Sequence, residues 1–453
     1  MCGVIGIISK TALNNEIYHG ILHLQHRGHD AVGVLNYNPH TKQQVLKKSL
    51  GLLTDSFITT QPLQGTCWSI GNVRYTTSGN NSLTDAQPLV NEAKQTLGIV
   101  VNGNLTNYQG IKNSLITQGA VFTTESDAEI ILRSIEQRVC NETCTFNDIC
   151  EAVSHVYNTL SGAYSVIGML PGYGLFAFRD PLGIRPLLYG VHPENGSHCF
   201  ASEVTSLTSL GFKEVKPIQP GEVIFIDHNH QQQQRLIKKT CHAHCSFEYA
   251  YFSHPDNTME GIAVRKARKN LGVALADKIR MMKIAADVVI PIPKTGCLAA
   301  AALAEVLDIP YVEGITINVG IGRSFIMPSQ MMRERTSQSK FIIDPSVIKG
   351  RNILLVDDSI VRGTVSKSVI QQVRTAGAKN VYFASSFPPI KHPCIYGLHF
   401  PTNEELIGHH REVEEIARMI NADKIIYNDM RDLKEALQID DFCAGCVTGN
   451  YPE

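Results

Sequence analysis

The chain lacks an excess of either charge. Lys and Arg number 41 against 42 Asp and Glu, a formal net charge of -1. A broad nucleic-acid footprint is thereby excluded, because neutralising phosphates draws on a basic surplus. A local basic site for a small phosphorylated ligand is compatible with this balance. Long apolar runs are also missing. None reaches the roughly 18 residues of a membrane span, so no membrane partner is expected. The opening MCGVIGIISK has no basic segment ahead of its apolar stretch, unlike a secretory signal. The chain therefore reads as cytoplasmic. In that reducing compartment its 12 cysteines are not expected to pair as disulfides. They are left as core thiols, a catalytic thiol or metal ligands.

A length of 453 residues suits two or three domains with substantial cores. Residues 2 to about 230 read as strand-rich, with short apolar segments GVIGII, CWSIGNVRY, LGIVVNGN, AYSVIGML and GEVIFID bounded by Gly, Asn or Pro. Two helices are predicted among them, near 15–25 and 126–138. In the second, Ala128, Ile131, Leu132 and Ile135 fall at helical spacing. Two packed sheets with helices outside follow from this pattern. The polar tract HNHQQQQR (228–235) reads as a hairpin tip or loop near a domain boundary. From about residue 258 helix and strand alternate. DVVIPIP, ILLVDDS and VYFASSF read as buried strands, with LAAAALAEVL and SKSVIQQVRTAG as helices. Such alternation predicts a parallel sheet with crossover helices. The tail bearing FCAGC is expected to return onto the body.

Cys2 becomes the N-terminal residue if Met1 is removed. A thiol beside a free α-amine has a built-in base, since that amine titrates near about 7.7–8.0. Companion segments give this thiol a context. LQHRG holds Arg27 and Gly28, and VRYTTSG offers Arg74, a fork suited to a carboxylate. VNGNLTN offers Asn102 and Gly103, a side-chain amide and a backbone N–H fit for an oxyanion. Asp127 is able to hold an ammonium group. Together these suit an α-amino acid with a reactive side-chain amide.

ILLVDDSIVRGTV (353–365) is a buried strand, two acids and a turn entering a helix. Asp357 and Asp358 suit ribose hydroxyls and a hydrated Mg2+. Ser359, Arg362, Gly363 and Thr364 lie in a phosphate cradle at the helix start. Cys443 and Cys446 form a CxxC pair. With Cys245 and Cys394 they make four thiolates for zinc or an iron–sulfur cluster, and spacing does not choose between the two.

With these residues in view, the sequence resembles the amidophosphoribosyltransferase family along nearly its whole length. CGVIGI, LQHRG, VRYTTSG, NGNLTN, SDAEIIL, FRDPLGIRPL, ASE, CSFEYAYFSHPD, IPIP, VDDSIVRGT, HPCIYG and CAGCVTGNYP carry the likeness. The resemblance implies a glutamine amidotransferase domain over 2–235, an N-terminal nucleophile αββα sandwich. A type I phosphoribosyltransferase domain over 250–430 and a tail over 431–453 follow. It implies Cys2 as nucleophile, Arg74 on the glutamine carboxylate, Asp127 on its amine, and Asn102 and Gly103 as the oxyanion hole. Arg27 and Gly28 join the glutamine site. Thr295 joins Asp357 and Asp358 on the Mg2+ side. The four cysteines match the cluster-containing branch, implying a [4Fe–4S] cluster of structural role. The implied reaction converts glutamine and phosphoribosyl pyrophosphate to 5-phosphoribosylamine, glutamate and pyrophosphate, the first step of purine synthesis. A homodimer or homotetramer inhibited by purine nucleotides is implied as well.

The family usually carries KNRYVGRTF where this chain has INVGIGRSF (317–325), so a Lys, an Arg and a Tyr are replaced. The acid usually following IPIP is Lys294, and the His usually found before the VRY and NGN motifs is Asn72 and Val101. Two other readings follow from the altered loop: a paralogue with a different phosphoribosyl substrate, and a nucleotide-sensing protein without transfer activity.

Overall fold

The structure is a computed structural model. It describes residues 2–56, 64–91, 97–139, 144–318, 341–398, 400 and 402–453. The alternating strands of the first half pair into two antiparallel sheets. One has seven strands, in the order Lys213–Pro217, Leu188–Val191, His198–Ala201, Gly3–Ile8, Trp68–Arg74, Ala31–Asn38 and Gln43–Leu50. The other has six, in the order Gln232–Leu236, Glu222–Asp227, Gly174–Arg179, Gly162–Leu170, Leu97–Leu105 and Leu89–Asn91. Side chains of period two meet between them: Val4, Leu35 and Ile70 from the first sheet, Val100, Ile167 and Ile224 from the second. Each such buried side chain contributes roughly 1.5–3 kcal/mol of burial.

Helices close both outer faces. Glu16–Leu24 covers the seven-stranded sheet through Ile17, Ile21 and Leu24. Ala128–Val139 and Phe146–Thr159 cover the other. The result is the expected αββα sandwich, with more helices than the two anticipated. Phe146–Thr159 is the chief omission. Thr145 and Asp148 form a reciprocal cap at its start, and Ile149, Ala152, Val153 and Val156 form its buried stripe. The tract HNHQQQQR splits: its first part is a turn, and Gln232–Leu236 is an exposed edge strand paired with Glu222–Asp227.

In the second half four strands run parallel, in the order Val288–Pro291, Asn352–Asp357, Asn380–Ser385 and Lys424–Tyr427. Helices Val264–Met281 and Cys297–Leu307 pack on one face through Leu275, Ile279 and Leu303. Helices Thr364–Thr375 and Val413–Ile420 pack on the other through Ile370, Val373 and Ile416. Helix Met430–Leu437 straddles the expected start of the tail at 431. It belongs with the body, since Leu433 and Leu437 are buried and Asn270 donates to the Ala436 carbonyl at 3.0 Å. The tail then returns as expected: Phe442–Cys443 pairs in parallel with His244–Cys245, between the two halves. No helix among the described residues is long and apolar enough to cross a membrane.

Candidate active site

Cys2 stands at the start of strand Gly3–Ile8, whose Gly3 pairs with Val73. That register sets the thiol beside Arg74, at the end of the neighbouring strand. The facing sheet supplies Asn102 from strand Leu97–Leu105. The Cys2 nitrogen donates to Asn102 Oδ1 at 3.0 Å. Asn102 Nδ2 is buried and has no hydrogen-bond partner. A buried amide donor without a partner is costly, so this group is set up for a ligand atom. Gly103 follows it where only glycine fits, since a Cβ would lie 2.0 Å from the Ala163 carbonyl oxygen. Cys2 Sγ lies 3.8 Å from the Tyr75 carbonyl oxygen.

Arg74 and Asp127 shape the loop over this thiol. Arg74 donates to the carbonyls of Asn80 at 2.7 Å and Ser78 at 2.8 Å, two of the guanidinium's five N–H groups. Asp127 accepts from the Leu105 N–H at 2.8 Å and from the Ser78 hydroxyl. Burial raises its proton affinity against the pull of Ser78, the nearby backbone N–H groups and Arg74. A carboxylate so disfavoured gains from a cationic ligand. Gly28 lets the Arg74 backbone pass, since a Cβ there would lie 2.6–2.8 Å from it.

Arg27 lies against the nucleophile's backbone. Its Nε donates to the Cys2 carbonyl at 3.1 Å, and its two terminal nitrogens bind Glu203 at 2.6 Å and Glu248 at 2.7 and 3.1 Å. It is 1 % exposed. Its fork therefore engages the backbone of the nucleophile and two acids. Burial alone would raise Glu203, but His26 and Arg27 outweigh it and hold the carboxyl at about 2. Glu203 and Glu248 were not singled out from the sequence as functional residues. Each is an acid inside an otherwise apolar or small-residue motif, ASE and CSFEYAYF, and that is the signal available for them.

The second set lies at the carboxyl end of strand Asn352–Asp357, where open parallel sheets bind ligands. Asp358 accepts from the hydroxyls of Thr295 and, at 2.7 Å, Ser359. The Asp358 N–H donates to Asp357 Oδ1 at 2.9 Å. Burial raises the proton affinity of Asp358, while Thr295, Ser359 and Arg268 draw it down. Gly363, at φ +76°, caps helix Thr364–Thr375. Arg362 turns outward to Glu405 at 3.3 Å. Of the altered stretch 317–325, everything from residue 319 lies outside the described residues. A separate cleft of about 720 Å³ beside Lys48, Glu129 and Arg133 includes none of these site residues.

Cys245, Cys443 and Cys446 are buried together, with Cys394 packed against them. Burial pushes the Cys245 thiol up to about 12 and Cys443 to about 11, and the neighbouring thiols add to both. Arg185 lies in the field of Cys245 and Cys394. Among the described residues no three His, Cys, Asp or Glu converge as ligands of a single metal ion.

Comparison with known proteins agrees with both halves. Residues 74–209 match a glutamine amidotransferase domain and residues 264–394 a phosphoribosyl transferase domain. The whole chain is 39% identical to the amidophosphoribosyltransferase of Pasteurella multocida, covering 92% of it. It is 36% identical to that of Archaeoglobus fulgidus, covering 98%. The glutamine phosphoribosylpyrophosphate amidotransferase of Bacillus subtilis, solved in complex with ADP and GMP, aligns over 100% of this chain and 97% of its own. The TM-score is 0.88 at 34% identity. The chain belongs to the amidophosphoribosyltransferase family.

Proposed function

We propose that the protein hydrolyses glutamine at Cys2 and passes the ammonia to C1 of phosphoribosyl pyrophosphate. The products are 5-phosphoribosylamine, glutamate and pyrophosphate, the opening step of purine synthesis. The observation that carries this reading is Asn102. One end of its amide holds the Cys2 nitrogen at 3.0 Å, and the other is a buried donor with no partner. Charge developing on the substrate's amide oxygen is what such a donor suits.

Removal of Met1 turns the Cys2 nitrogen into an amine that takes the thiol proton. Sulfur then attacks the amide carbon, and the tetrahedral oxygen is stabilised by Asn102 Nδ2 and the Gly103 N–H. The C–N bond breaks as the amine returns its proton to the leaving nitrogen. Water next cleaves the thioester, releasing glutamate and restoring the thiol. Arg74 binds the substrate carboxylate with its remaining donors, and Asp127 binds the ammonium. Ammonia must stay out of water, because ammonium has no lone pair for attack.

In the second half Asp357 and Asp358 hold the ribose, and the loop from Ser359 through Arg362 and Gly363 to Thr364 cradles the 5-phosphate. The oxygen donors of Asp357, Asp358 and Thr295 fit Mg2+, a hard cation, and the raised proton affinity of buried Asp358 is what such a cation relieves. A Mg2+ held by these oxygens would supply positive charge to the pyrophosphate leaving group. Four thiols, three of them buried in one cluster, are a donor set that a [4Fe–4S] cluster would use, and that is the group proposed. Bound, the cluster ties the tail to both halves. The domain limits proposed are 2–235 and 250–430, with a cluster-bearing tail over 431–453 whose opening helix, Met430–Leu437, packs back on the body. The nucleotides bound to the Bacillus subtilis relative support purine-nucleotide control, in a homodimer or homotetramer. Parallel measurement of glutamate and pyrophosphate tests the reading. It expects one of each per turnover; glutamate formed without pyrophosphate contradicts it.

A further inference from the structure

We infer that Glu248 is a positioning residue through which the segment joining the two domains holds the backbone of Cys2 for attack. The inference rests on Cys2 being the glutaminase nucleophile. Glu248 lies on a single helical turn, Glu248–Phe252, which follows Cys245 in the chain. Its carboxylate grips Arg27 through both oxygens, at 2.7 and 3.1 Å, and the same Arg27 donates to the Cys2 carbonyl at 3.1 Å. Oε1 also meets Arg185 at 3.5 Å, whose Nε donates to the Tyr396 carbonyl at 3.1 Å, two residues beyond Cys394. Two guanidiniums thus share two carboxylates, Glu203 and Glu248, with every side chain 0–2% exposed. A buried charge set of this kind holds a fixed geometry, because moving any member strands another without a partner.

The other end of Glu248's turn is fixed by the phosphoribosyltransferase half. Arg268, on helix Val264–Met281, donates to the carbonyls of Tyr249 at 2.8 Å, Tyr251 at 3.0 Å and Ser253 at 2.7 Å. The Ser253 hydroxyl closes back on Glu248 Oε2 at 3.0 Å. Arg268 thus holds the backbone of the turn that carries Glu248, and Glu248 holds Arg27 on the Cys2 carbonyl. Glu248 is shared by the Cys2 side, the Cys394 loop and the interdomain turn. Moving the nucleophile by a fraction of an ångström is enough to affect attack.

The test uses the full-length protein with Glu248→Gln and Glu248→Asp. Asp keeps the charge but draws the carboxylate back by one methylene, which keeps the test open should Gln fail to fold. Three rates are read: glutamine hydrolysis, alkylation of Cys2 by a diazoketone analogue of glutamine, and phosphoribosylamine synthesis from free ammonia. Expected for Glu248→Asp is a fall on the order of ten- to a hundredfold in kcat for hydrolysis and in the alkylation rate. KM for glutamine should change by less than about threefold, because the substrate contacts are untouched. Ammonia-dependent synthesis should stay within about twofold of the parent. Parental hydrolysis and alkylation by Glu248→Asp overturn the inference, as does an equal loss of the ammonia-dependent activity. If the parent protein hydrolyses no glutamine, or Cys2→Ala still does, the underlying assignment of Cys2 fails instead.

Discussion

Replacing Asn102 with Asp exchanges an amide for a carboxyl group of nearly the same shape. The acceptor for the Cys2 nitrogen, now at 3.0 Å, survives, while the buried Nδ2 donor is lost. If that donor stabilises the tetrahedral oxygen, its removal costs ~2.7–4 kcal/mol of transition-state binding, or roughly 100- to 1000-fold in kcat. A carboxylate in its place also faces the developing oxyanion, which pushes the loss toward the upper end. Steady-state glutaminase kinetics read the effect, with ammonia-dependent phosphoribosylamine synthesis as control. The control should be retained, because Asn102 lies in the other half of the molecule from Asp357 and Asp358. A kcat within about threefold of the parent would refute the oxyanion role. So would a parallel fall in the ammonia-dependent reaction.

Glu203 is held at about 2 against an ordinary 4.5 by His26 and Arg27. A depressed carboxyl stabilises the fold fully above the unfolded value and loses that stability as pH falls from about 4.5 toward 2. The shift corresponds to about 3 kcal/mol, so denaturant midpoints should drop across that window in the parent and much less in Glu203→Gln. Asp358→Asn should lower synthesis from glutamine and from free ammonia alike, by about 100-fold or more, in a pyrophosphate-release assay. Unequal losses would mean that Asp358 is not at the phosphoribosyl site. Cys446→Ser should remove bound iron and acid-labile sulfide from anaerobically purified protein, whereas stoichiometric zinc without iron in the parent would contradict the cluster.

The sequence carried the periodic and local parts of this account. Period-two strands and the sharp motifs around Cys2, Asn102 and Asp357–Asp358 were legible because each depends on neighbours a few residues away. Arg27 was legible as a site residue, but the acids that hold it were not. Its partners Glu203 and Glu248 lie 176 and 221 positions along the chain, and no local pattern reports such a pairing. Glu248 hides for the same reason within an aromatic run that reads as core. Helix Phe146–Thr159 has both a cap and an apolar stripe in the sequence, set among strands whose shorter period dominates the region. Helix Met430–Leu437 fell at a boundary because only its packing on helix Val264–Met281 assigns it to the body.

The most direct test follows the nitrogen. Glutamine labelled with 15N in its side-chain amide is supplied with phosphoribosyl pyrophosphate to the parent protein and to Cys2→Ala, with the amine product trapped and weighed by mass spectrometry. The account predicts labelled product from the parent, and from Cys2→Ala none with glutamine but product with free ammonia. Labelled product from Cys2→Ala, or glutamate from the parent without labelled amine, would contradict it.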